Sequence, residues 1–359
     1  MTAAMVMCQL NALALLFRRL IGPARLAKLA PMTTRFLAGL ILLLALRRPA
    51  SADDFDLQAG TKVQFATREE AAKLLVERDV FIQALSPFDR AARLKTDRET
   101  TEKEYLEFVA AQAAEWTAKE EKMLTGLLAA LKPKLAPLKL SLPPVIRLVK
   151  TTGREEGAAA YCRGASIVLP QNMVDAGALA LEIILPHELF HVFSSHNLKL
   201  RPALYAVVGF APCAPVRFPE SLAKRRITNP DAPGLDFYIM VKQGADRVPV
   251  MPILYSRSET YDTKAGGEFF DYMEFRLLVL EKDGEGMKPA LDAQGQPRLL
   301  EPGDTPDYLA QLGKNTGYII HPEEVLADNF VMLVNGKKKA PSPAIIEGLR
   351  KAILDGAAR

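Results

Sequence analysis

The sequence predicts an α+β fold. Three observations carry this: a run of capped amphipathic helices up to about residue 140, strand patterns between 145 and 170, and two later helical segments separated by a stretch of mixed character. Residues 53–140 read as an N-terminal helical subdomain. Residues 141–359 read as a second domain, with a mixed α/β insert at about 200–315.

The elements follow in order. Thr67 and Glu70 have capping-box spacing and open a helix through Leu75. Thr101 to Trp116 places Tyr105, Phe108, Val109, Ala113 and Trp116 on one helical stripe. Thr117 and Glu120 start a further helix carrying Leu124, Leu127, Leu128 and Leu131. After a proline-marked stretch to Pro144, Val145 to Lys150 reads as a strand. Ala158 to Cys162 and Ser166 to Leu169 read as a strand pair around Arg163-Gly164. In the insert, Pro202 to Val208 reads as helix. Asp236 to Val241, Val248 to Tyr255 and Phe269 to Leu280 read as strands, with a turn at Gly266-Gly267. Ser342-Pro343 starts a last helix to about Leu354.

Chemistry concentrates in two short segments. His187-Glu188-Leu189-Phe190-His191 lies in an apolar run from Ile183 to Phe193. Residues four apart share a helical face, so both imidazoles can reach one metal ion, with Glu188 beside them to take a proton from water. Pro186, just before the first histidine, is expected to start or kink the helix. Of the two remaining histidines, His196 points away from the 187/191 face and reads as a helix-end residue. His321 opens the second segment, His321-Pro322-Glu323-Glu324-Val325-Leu326-Ala327-Asp328-Asn329-Phe330. There Pro322 can start a helix on which Glu324 and Asp328 share a face. Glu323 is a rival to Glu324 as a ligand but lacks an acidic partner four residues on.

The E-x-x-x-D spacing after an H-E-x-x-H resembles the second zinc-binding helix of the gluzincins, the thermolysin-like clan of metallopeptidases. The pair of motifs is also similar to a group of secreted bacterial proteins of unassigned activity. The resemblance covers the two motifs and not the whole chain, and the segment between them is longer than in the best-known gluzincins. It implies a zincin-like catalytic domain with the insert between its two metal-binding helices. It implies Zn2+ held by His187, His191 and Glu324, with Asp328 holding the second ring nitrogen of His187. It implies hydrolysis of a peptide or protein substrate by a metal-activated water, with Glu188 as general base. An oxyanion stabiliser is also needed. His321 and Tyr318 are candidates, as are Tyr255 and Tyr261. The strand nearest the cleft, sought within Ala158 to Pro170, would pair with extended substrate. Two other functions use the same motifs: hydrolysis of a non-peptide amide such as cell-wall material, and ligand binding on a zincin scaffold without catalysis.

The N-terminus carries an export pattern. Met32 to Arg35 is a short basic segment, Phe36 to Leu46 an apolar one, and Ala50-Ser51-Ala52 fits a signal-peptidase site. Residues 1–52 therefore read as a presequence, with Met32 the expected natural start and a secreted or periplasmic destination. The eleven apolar residues from Phe36 to Leu46 are too few for a stable membrane span. The net charge of +4 comes from this segment, which holds seven Lys and Arg and no acid. The rest is slightly acidic, with no basic footprint for nucleic acid. Cys162 and Cys213 flank the H-E-x-x-H segment, and an exported protein could bridge them or keep them as thiols.

Overall fold

The computed structural model describes residues 54–337 and 339–357, so the presequence pattern and its cleavage site lie outside the described residues. The fold is α+β, built on two sheets. The first has five strands in the order β1-β2-β3-β5-β4. These are β1 (Phe55–Gln58), β2 (Thr61–Phe65), β3 (Val145–Thr151), β4 (Tyr161–Arg163) and β5 (Ser166–Pro170). The three middle strands are parallel and the two edge strands antiparallel to their neighbours. The second sheet is antiparallel and comprises β6 (Phe210–Pro212), β7 (Phe237–Gln243), β8 (Asp246–Ser256), β9 (Met273–Asp283), β10 (Gly286–Pro289) and β11 (Leu299–Leu300).

The N-terminal segment is not only helical. β1 and β2 are woven into the first sheet, and β2 pairs with β3. The signal is present in Thr61 to Phe65, where Val63 and Phe65 are buried and Lys62 is exposed. Gly60, at φ +82°, makes the tight turn between the two strands. Then come α1 (Arg68–Leu75), α2 (Val80–Ala84), α3 (Pro87–Arg93), α4 (Glu102–Ala110) and α5 (Ala118–Leu135). α1, α4 and α5 each open on a reciprocal capping box, from Thr67, Thr101 and Thr117. The stripe from Thr101 to Trp116 is cut short. α4 ends at Ala110 because the chain beyond it pairs with the end of β3: Ala114 N donates to Lys150 O and Thr152 N to Gln112 O. Trp116 leaves the stripe, packs on Phe65 and donates to Leu148 O at 3.1 Å.

A buried ion cluster joins this segment to the insert. Arg93 meets Asp89 at 2.7 Å and Glu156 at 2.7 Å, and donates to Thr228 O at 3.3 Å. Its guanidinium also lies over the Phe269 ring. Arg93→Met leaves two carboxylates buried without their cation. It is expected to cost about 3–5 kcal/mol in urea unfolding. A loss below about 1 kcal/mol, the worth of an exposed pair, would refute the cluster's structural role.

The remaining helices are α6 (Gln171–Asp175), α7 (Ala178–His196), α8 (Arg201–Ala206), α9 (Glu220–Ala223), α10 (Pro306–Leu312), α11 (Pro322–Val334) and α12 (Pro343–Ala357). α7 lies against α5, β4, β5 and α11. The second sheet is buried on both faces. Along β9, Leu277 and Val279 enter the main core while Leu278 and Leu280 pack with Met251, Ile253 and Leu222. Phe269–Tyr272 forms a 3-10 turn rather than the start of β9, because Glu268 and Asp271 cap it reciprocally. Among the described residues, no helix is long and apolar enough to cross a membrane.

Candidate functional site

α7 runs unbroken from Ala178 to His196 and neither starts nor ends at Pro186. Proline removes one amide donor there. The residue whose carbonyl loses that donor, Glu182, is exposed, so water can replace it. Leu181, Ile184, Leu185, Leu189, Phe190, Val192 and Phe193 bury the helix. α11 has Pro322 at its first turn and His321 as N-cap, whose Nδ1 accepts from Glu323 N at 3.1 Å. The two helices pack directly, with Phe190 against Phe330 at 5.6 Å between ring centroids.

This packing brings His187, His191 and Glu324 to one point, with their ligand atoms within 4.8 Å of one another. Glu324 Oε2 lies 3.3 Å from His187 Nε2 and 3.6 Å from His191 Nε2. Both rings thus turn Nε2 inward, and a carboxylate from α11 takes each Nδ1. Asp328 Oδ1 is 3.0 Å from His187 Nδ1, and Glu323 Oε1 is 3.0 Å from His191 Nδ1. Glu323 also accepts from Ser194 Oγ at 2.8 Å and from the Tyr205 hydroxyl. Thr316 Oγ1 donates to Asp328. The two adjacent glutamates therefore divide the work: Glu324 faces the centre and Glu323 orients a histidine. Glu188 is buried on α7, between the two histidines in sequence, and its Oε2 lies 3.5 Å from Cys162 Sγ.

The donor set fits a zinc ion. His191 Nε2 is buried, aimed at the common point and, among the described residues, without a hydrogen-bond partner, which a buried ring nitrogen avoids unless something else meets it. The electrostatics point the same way. Burial works against the charged ring of His187, yet its hydrogen bonds to Asp328 and Glu324 push its pKa up to about 10. Burial also opposes the charged form of Glu324, but His191 and His187 hold it well below the carboxylate range. Burial raises Glu188 and Asp231, with the neighbouring carboxylates adding to it. A divalent cation at the common point would supply the positive charge that the imidazoles otherwise take up as protons.

Asp328→Asn is expected to weaken zinc binding by about 10–100-fold, because the amide holds the His187 ring less firmly and lowers its basicity. Competition against a calibrated chelator measures this. Wild-type affinity in the variant would leave Asp328 with no role at the centre.

The four oxyanion candidates separate. Tyr318 stacks on His187 with ring centroids 6.4 Å apart, and Glu324, Asp231 and Glu188 all bear on its hydroxyl. His321 is committed to the helix cap, and burial pulls its pKa down to about 4. Tyr261 donates to Gly267 O at 3.0 Å, and Tyr255 carries the Arg225 guanidinium over its ring. His196 is exposed at the end of α7. Cys162 and Cys213 are free thiols, not a disulfide. Cys162 is buried against Glu188, donating to its carbonyl oxygen at 3.1 Å, and Cys213 packs in the insert.

No family model, curated protein or solved structure matches this chain. The site includes residues without a sequence signal. Asn229 Nδ2 donates to Glu324 Oε1 at 2.6 Å, and Asp231 Oδ1 accepts from Cys162 N at 2.6 Å. Both lie on an irregular loop of the insert, where no periodicity marks a residue as facing inward.

Proposed function

We propose that this protein is an exported zinc metallohydrolase of zincin-like, gluzincin type that cleaves amide bonds in peptides. The convergence of His187, His191 and Glu324, with each histidine's Nδ1 held by its own carboxylate, carries the reading. The arrangement of a mixed sheet ending in the antiparallel edge strand β4, followed by α7, supports it.

Zinc, when bound, supplies Lewis acidity and lowers the pKa of water. Asp328 and Glu323 fix the imidazoles so that both Nε2 atoms face the centre. Burial keeps Glu188 at a raised pKa, which suits a group that takes a proton from the attacking water and passes it to the leaving amine. To Tyr318, whose ring lies against His187, we assign donation to a developing oxyanion.

Elemental analysis of the purified protein, beside turnover of a broad peptide library, tests this reading. One equivalent of zinc with hydrolysis abolished by chelation is expected. Zinc without hydrolysis would favour a binding protein on the same scaffold, and no metal would remove the reading.

A further inference from the structure

The edge strand beside the candidate centre is already engaged. The Cys162 amide on β4 faces away from β5 and donates to Asp231. An extended substrate would pair at that edge. Asp231 N in turn donates to Asn229 Oδ1 at 3.0 Å, and Asn229 holds Glu324. The loop is anchored at its start, where Thr228 N and Oγ1 donate to Asp89 at 3.2 and 2.8 Å. Near its end, Pro233 O accepts from Arg226. It is a fixed wall held from two sides.

Beside this wall is an open cleft with about 460 Å³ of empty space, part of it continuous with solvent. Ala160, Leu254, Phe270, Met273 and Ile320 give it an apolar lining. Asn229, Asp231 and Tyr318 also line it, and two of these touch residues of the centre: Asn229 donates to Glu324 and Tyr318 lies against His187. A concave, mostly apolar pocket with a few polar groups at one side is built for a single small apolar moiety.

We propose that the loop Thr228–Asp231, through the Asp231 carboxylate, takes the place of substrate main chain on β4, so that the site takes a short amide substrate with one apolar group in this cleft. A polypeptide threaded along the sheet edge is excluded. This rests on the metallohydrolase reading above.

Three hydroxamates, titrated calorimetrically into zinc-loaded protein, test it: acetohydroxamate, 3-phenylpropionohydroxamate, and a hydroxamate ending an extended alanine hexapeptide. The phenyl probe is expected to bind about 30–100-fold tighter than acetohydroxamate, from the apolar area it buries. Ala160→Phe fills the cleft and should remove most of that gain. The hexapeptide probe should bind wild type no better than acetohydroxamate. Asp231→Ala frees the Cys162 amide and should tighten the hexapeptide probe by about tenfold. If either variant fails to fold, the order of the three probes on wild type still decides. A hexapeptide probe that binds wild type tightest, or a phenyl group that adds nothing, overturns the proposal while the metal reading stands. A protein that takes up no zinc overturns both.

Discussion

Glu188→Gln is expected to lower amide hydrolysis by about 10²–10⁴-fold, the usual contribution of a positioned general base, with zinc content unchanged. Glutamine keeps the shape of the side chain and removes its basicity. Glu188 is next to His187 in sequence but about 100° further round the helix, so in the proposed reaction it would address the attacking water rather than the metal. Its burial, with Cys162 Sγ at 3.5 Å from Oε2, leaves little room for bulk solvent to replace it. The measurement pairs turnover with elemental analysis on the same sample. A variant that cleaves as fast as wild type would exclude Glu188 from the reaction. A variant that loses zinc as well would make it a ligand or a structural residue.

Glu324→Ala is expected to lose both metal and hydrolysis. A structural zinc site binds with apparent free energies of about 10–16 kcal/mol spread over four ligands, so removing one ligand should weaken binding by about 10²–10³-fold. His187→Ala should behave the same way. The neighbouring glutamate supplies the control. Glu323 meets His191 Nδ1, Ser194 and Tyr205 and does not face the common point. Glu323→Gln is therefore expected to cost only about 10–100-fold in zinc affinity, as for other groups that orient a ligand. Equal losses at 323 and 324, read by chelator competition with circular dichroism as a check on folding, would overturn the division of roles between them.

Much of the site is legible because helices have a local period. Four-residue spacing puts His187 and His191 on one face, and the same spacing pairs Glu324 with Asp328. Thr67, Thr101 and Thr117 mark helix starts because their side chains satisfy amides three residues ahead. Short-range misreadings have short-range causes. Phe269–Tyr272 has the composition of a strand, but Glu268 and Asp271 cap it as a turn. Pro186 has the identity of a helix breaker, but it stands where the freed carbonyl belongs to an exposed residue.

By itself, the sequence determined the α+β class, the two helices that carry the candidate ligands and the face each of these residues occupies, since all of these depend on neighbours within a turn or two. Tertiary structure alone decided what depends on distant partners. The packing of α7 on α11 set Glu324, which its spacing to Asp328 already favoured, within reach of both histidines. It also gave Glu323 its place beside His191, more than a hundred residues away in the chain. Pairing of β2 with β3 drew residues 55–65 out of a helical subdomain and into the first sheet. The Asn229–Asp231 contacts close the edge strand from a loop whose residues follow no repeat. Periodicity records which way a side chain faces on its own element, and what it meets there is set by how elements far apart in sequence pack together.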